Sequence, residues 1–126
     1  MNAEQVWESL PAKVQFAATR IADEYRLPGS VASRAFMSCG EYCWSCRTQN
    51  GLASIVLRWT PERGLRYVVT VRCCDGAVAQ ATFSGRDGLT DYHAHVAPWG
   101  EHHVEAWRRA CRAIGSASVP FPGRVP

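Results

Sequence analysis

Residues 42–59 read Tyr-Cys-Trp-Ser-Cys-Arg-Thr-Gln-Asn-Gly-Leu-Ala-Ser-Ile-Val-Leu-Arg-Trp. Asn50-Gly51 in the middle is a two-residue hairpin signal, because both residues tolerate the positive φ that a type I′ turn demands. Folding the stretch about that pair sets Thr48 opposite Ala53, Cys46 opposite Ile55, Trp44 opposite Leu57 and Tyr42 opposite Trp59. Side chains alternate between faces along a strand, so these residues share one face, and that face is apolar. A slip of one residue would turn the whole set to water, so the register is firmly specified.

The same alternation extends in both directions. Forward through the turn Thr60 to Gly64 it reaches Leu65, Tyr67, Val69, Val71 and Cys73; backward through Gly40-Glu41 it reaches Val31, Ala35, Met37 and Cys39. With a further turn at Asp75-Gly76, five strands are expected, at about 31–39, 42–49, 52–59, 65–74 and 77–84. They form an antiparallel meander.

Helical periodicity flanks this sheet. Leu10, Val14, Ala17, Ala18, Ile21 and Tyr25 lie on one stripe, predicting a helix over about 4–26, kinked near Pro11 and ended by Leu27-Pro28-Gly29. Residues 85–99 have no clear period and read as a polar loop. Val104, Trp107, Ala110, Cys111 and Ile114 mark a second helix over about 101–114, with Arg108, Arg109 and Arg112 where the helix dipole favours cations and Gly115 as its C-cap. The expected architecture is α+β, in the order α-β-β-β-β-β-α. The N-terminal and C-terminal helices pack on the apolar face, and the other face stays open, as an antiparallel sheet permits. Residues 1–115 make one domain, and residues 116–126, with Pro120, Pro122 and Pro126, make an extended tail.

Composition agrees. The chain has 126 residues, 47% apolar and 20% charged, with a net charge of +3. That suits one globular domain and excludes bulk disorder. No apolar run approaches a membrane span and no signal peptide is visible, so a cytoplasmic protein without membrane contact is expected. Thirteen arginines stand against a single lysine, Lys13, with seventeen alanines. Such a bias follows from GC-rich coding and points to a bacterial or phage source.

The residues with reactive side chains give weak signals. Cys39, Cys43 and Cys46 share the C-x3-C-x2-C spacing of radical-SAM iron–sulfur loops, but those enzymes need a barrel far longer than this chain. Cys46 points to the core face and Cys43 to the other, so they do not share a zinc site on a regular strand. Cys46, Cys73 and Cys111 read as small buried hydrophobes, reduced and without metal. His93, His95, His102 and His103 are the remaining metal candidates, with His-x-His on an extended segment and a third ligand at a helix start. There is no G-x-S-x-G and no Gly-rich phosphate loop. No cofactor is expected.

The open face carries the most informative pattern. The five expected strands contain no Asp or Glu, yet they contain Arg34, Arg47, Arg58, Arg66 and Arg72, all on the open face. Arg34 is expected opposite Arg47, and Arg58 opposite Arg66. Directly opposed like charges destabilise a sheet unless an anion lies between them. Phe36, Val56, Val68 and Phe83 are expected among these arginines. This makes Arg34, Arg47, Arg58, Arg66, Arg72, Phe36 and Phe83 the candidate binding residues. The expected role is a non-enzymatic interaction module that docks on an acidic protein surface. Small bacterial and phage regulators and inhibitors, such as anti-CRISPR proteins, work in this way. A nucleic-acid-binding domain using the same face is the alternative, and a small metal-dependent enzyme built on the histidines is a third reading. The uncharged strand 77–84 is expected to be the last strand, either covered by residues 89–96 or left as an edge open to strand addition by a partner or to a homodimer.

Overall fold

The computed structural model of the chain describes residues 3–24, 36–38, 41–47, 52–72, 76–85, 87–94, 99–116 and 119–122. Helices α1 (Ala3–Ser9) and α2 (Ala12–Glu24) precede strands β1 (Phe36–Ser38), β2 (Glu41–Arg47), β3 (Ala53–Thr60), β4 (Gly64–Arg72), β5 (Val78–Ser84) and β6 (Gly88–Ala94), and helix α3 (Glu101–Ala113) follows. The strands form one antiparallel sheet in sequence order, β1-β2-β3-β4-β5-β6. No helix among the described residues is long and apolar enough to cross a membrane.

The β2–β3 register is the one that residues 42–59 dictate: Tyr42 faces Trp59, Trp44 faces Leu57 and Cys46 faces Ile55. The proposed Asn50-Gly51 turn itself lies outside the described residues. The apolar face continues through Tyr67, Val69 and Val71 of β4, and α3 lies against β3 and β4 with α2 beside it. Trp44, Ile55, Leu57, Val69, Val14, Ile21, Trp107 and Cys111 are fully buried in the single cluster this creates. Burial holds the Cys46 and Cys111 thiols at a pKa pushed up to about 12, so they are neutral hydrophobes. Cys73 lies outside the described residues.

The single kinked helix over 4–26 is two helices. Pro11 has no N–H to donate and disfavours helical φ/ψ at Leu10. The Leu10 N–H instead closes on the Trp7 carbonyl at 3.2 Å, and the Pro11 carbonyl accepts from Val14 and Gln15 to start α2. The Gln15 side chain donates to the Trp7 carbonyl at 2.7 Å and ties the two helices together.

Two expectations about β5 are corrected. First, a two-residue Asp75-Gly76 turn would pair Arg72 with Ala79, but Arg72 faces Val78. This one-residue shift moves every β5 side chain to the other face. Phe83 therefore pairs with Tyr67 on the core face, 2% exposed, and is not among the arginines. Second, strand 77–84 is not a bare edge: of the partners expected for it, the segment after it is the one that pairs, and residues 88–94, read otherwise as part of a polar loop, form β6 along β5. Gly88 turns the chain with φ +73°, and a bulge follows: Phe83 faces Leu89 whereas Thr82 faces Asp91. The extra residue, Thr90, donates its hydroxyl to the Thr82 carbonyl at 3.1 Å. A homodimer through strand 77–84 is excluded, because β4 and β6 occupy both its sides.

The ends of the chain meet on the core. Helix α3 stops in a Schellman motif: Gly115, at φ +81°, donates to Arg112 and Ser116 donates to Cys111 at 2.7 Å. Arg109 donates twice to the Glu24 carbonyl at the end of α2, at 2.9 and 3.1 Å, and Arg112 grips the Glu24 carboxylate at 2.7 Å. Past α3, Val119 and Phe121 pack against the core. The Phe121 ring meets Trp99 and Trp107 edge-on, at centroid distances of 5.5 and 5.8 Å.

Candidate functional site

Alternation along β2, β3 and β4 carries Arg47, Arg58, Arg66 and Arg72 to the face opposite the helices. Cross-strand rows describe that face. Cys43, Arg58, Arg66 and Ser84 form one row; Ser45, Val56, Val68, Thr82 and Asp91 form the next; Arg47, Ser54, Thr70, Gln80 and His93 form the third. Arg58 stands directly opposite Arg66, and Val56 opposite Val68, as the register requires. Arg34 lies outside the described residues. The backbone of Phe36 sits opposite Cys43, at the end of the first row.

An acid next to the first row on the same face, two residues before Cys43, supplies its counter-ion. The expectation of strands without Asp or Glu assigned Glu41 to a turn, but β2 begins at Glu41. Its carboxylate accepts from Arg58 at 2.9 Å and from Arg66 on its other oxygen, with Arg63 of the β3–β4 turn at 3.9 Å. Glu41 is the counter-ion for the opposed arginine pair. The hydrogen bond from Arg58 holds its carboxyl below the usual carboxylate range, with Arg66 adding to the effect and burial opposing it. Three guanidinium groups on one carboxylate still leave positive charge in excess. The Glu41 side chain is 14% exposed, whereas those of Arg58 and Arg63 are 39% and 67% exposed. The carboxylate thus sits beneath guanidinium groups that reach solvent. At the other end of the face, Arg47 and Arg72 are exposed and have no ion pair among the described residues.

Sequence reasoning missed Glu41 and Arg63. The signal for Glu41 was parity: it lies two residues before Cys43, so it shares the face of Arg58 once the strand is extended by one residue. Arg63 lies in a turn, where no period places it. Its N–H donates to the Thr60 hydroxyl at 3.0 Å, which fixes the turn backbone.

The histidines divide between two places. His93 is exposed on β6 opposite Gln80. His102 is exposed at the start of α3, whereas His103 is 5% exposed, its ring edge-on to Trp99. The His103 Nδ1 accepts the Gly100 N–H at 3.1 Å, so this ring caps the helix in the role a Glu or Gln usually takes. Among the described residues, no three His, Cys, Asp or Glu side chains are grouped to hold a metal ion, and His95 lies outside them.

Compared with protein-family models, curated proteins and solved structures, the chain matches none.

Proposed function

We propose that this protein is a non-enzymatic interaction module that docks its open sheet face on an acidic protein surface. The observation that carries this reading is the surplus of arginine on that face. Arg58 and Arg66 are already oriented by Glu41, and Arg47 and Arg72 stand free of ion pairs among the described residues. Guanidinium groups held in place lose little side-chain freedom when they grip a carboxylate through two hydrogen bonds. The stripe of Val56, Val68 and Thr82 between the two arginine ends gives a partner apolar surface to cover. A regulator or inhibitor acting by occlusion is the role of this kind that suits so small a domain.

The test compares the wild type with Arg47→Gln/Arg72→Gln in pull-downs from nuclease-treated bacterial lysate. Both arginines are exposed, so the variant stays folded. The expected result is an acidic protein retained by the wild type and lost by the variant. Retention of nucleic acid in untreated lysate, falling steeply between low and moderate salt, with no protein dependent on the arginines, would transfer the face to the nucleic-acid reading.

A further inference from the structure

A second concave surface lies on the other side of the sheet. A groove of about 790 Å³ runs between α2, the end of α3 and the β3–β4 turn. Trp59, Leu65 and Tyr67 line it from the sheet, and Phe16 lines it from α2. Phe16 is 70% exposed, the most exposed of the large hydrophobic side chains described. Its cations are Lys13, Arg20 and Arg63, against a single acid, Glu62, among the described lining residues.

Two features leave this positive charge uncompensated. Lys13 stands in the first turn of α2, where the helix dipole disfavours a cation, and that turn has no acid. Neither Lys13 nor Arg20 has an ion pair among the described residues. Arg20 lines the groove together with Tyr67, and its charge favours the ionised form of the Tyr67 phenol against the larger effect of burial. A positive helix end, two unpaired cations and an exposed aromatic ring beside a half-buried tryptophan call for a ligand that is both anionic and apolar.

We propose that this groove takes an acidic segment of a partner protein with an apolar side chain at its centre. Its carboxylates lie against Lys13, Arg20 and Arg63, and its apolar group lies against Phe16 and Trp59. The inference goes beyond the sheet-face reading, from which it takes only the partner class. The groove and the open face share Ser84 and, of their cations, Arg63 alone. A nucleic-acid strand fits less well, because three cations at one groove do not track a phosphate backbone, and the tryptophan and tyrosine lie too deep for bases to stack freely.

The experiment is fluorescence anisotropy with a short fluorescein-labelled peptide whose glutamates flank a central leucine pair. Two control peptides replace the glutamates with glutamine or the leucines with serine. Lys13→Gln/Arg20→Gln and Phe16→Ser change exposed side chains only, and an unchanged melting temperature verifies their fold. The expected result is saturable binding by the wild type, weakened about tenfold by each groove variant and by each control peptide. Arg47→Gln/Arg72→Gln should leave it unchanged. Absence of binding, equal binding of either control peptide, indifference to the groove variants, or displacement by oligo-thymidine at comparable concentration would each overturn the proposal. Loss of binding in the sheet-face variant alone would also overturn it, while leaving the sheet-face reading intact.

Discussion

Glu41 shows how one residue changes the meaning of its neighbours. Arg58 opposite Arg66 on adjacent strands is repulsive on its own. With the Glu41 carboxylate between them it becomes a three-membered ion cluster, half withdrawn from solvent. A carboxyl whose pKa is lowered by folding contributes stability above its unfolded pKa, and that contribution is lost as the pH falls through the folded value. Glu41→Gln should therefore lower the melting temperature at about pH 7, and the variant and wild-type curves should converge on acidification to about pH 2. Parallel melting curves across that range would show that the carboxylate does not neutralise the pair. Arg58→Gln/Arg66→Gln should destabilise as well, because it strands the carboxylate that the arginines now satisfy. The arginine pair itself was legible from the register that Tyr42, Trp44 and Cys46 impose on Ile55, Leu57 and Trp59. Its counter-ion was not, because Glu41 follows a glycine and strand ends are set by pairing that no local pattern marks.

Among the elements, β5 and β6 mark where local reading stops. Large apolar residues fix β2, β3 and β4, because a slip would expose Trp44, Leu57 or Val69. In β5 the core side is Ala79, Ala81 and Phe83, and the other side holds Val78, Gln80 and Thr82, so either register buries small or uncharged groups. The weak contrast let an assumed turn length decide, and the assumption placed Phe83 on the wrong face. β6 had its own hairpin signal in Asp87-Gly88, but the Thr90 bulge breaks the alternation after two pairs and hides the strand. The observed register decides what a charge at Ala79 does. On an open edge, a lysine there would only block association. Ala79 is instead fully buried between β4 and β6 on the core face, so Ala79→Lys should cost several kcal/mol and unfold much of the protein. Tyr92→Lys, at an exposed site on β6, should stay within about 0.5 kcal/mol of wild type. Chemical denaturation of the two variants checks both. A stable Ala79→Lys would return β5 to the edge.

Across the whole molecule, the sheet is local and its cover is not. Each strand pairs with its neighbour in sequence, while the apolar face is closed by helices from opposite ends of the described chain, joined through Arg109, Arg112 and Glu24. The Val119–Phe121 segment extends that closure over Trp99 and Trp107. Ending the chain at Ser116 should lower stability by about 2 kcal/mol, the burial of roughly one aromatic side chain. Urea titration measures it, and a midpoint equal to that of the full chain would mean the segment is only resting on the surface. The Arg–Glu24 clamp also bears on how the protein is made. A ribosome releases α2 and the strands before α3, so the meander can pair while the apolar face that α3 covers on β3 and β4 has no lid. Until Trp107 and Cys111 arrive, nascent chains on neighbouring ribosomes present the same sticky sheet to each other. Completing the fold is therefore a race between the last helix and aggregation, and slow translation just before residue 101 would lengthen the hazard.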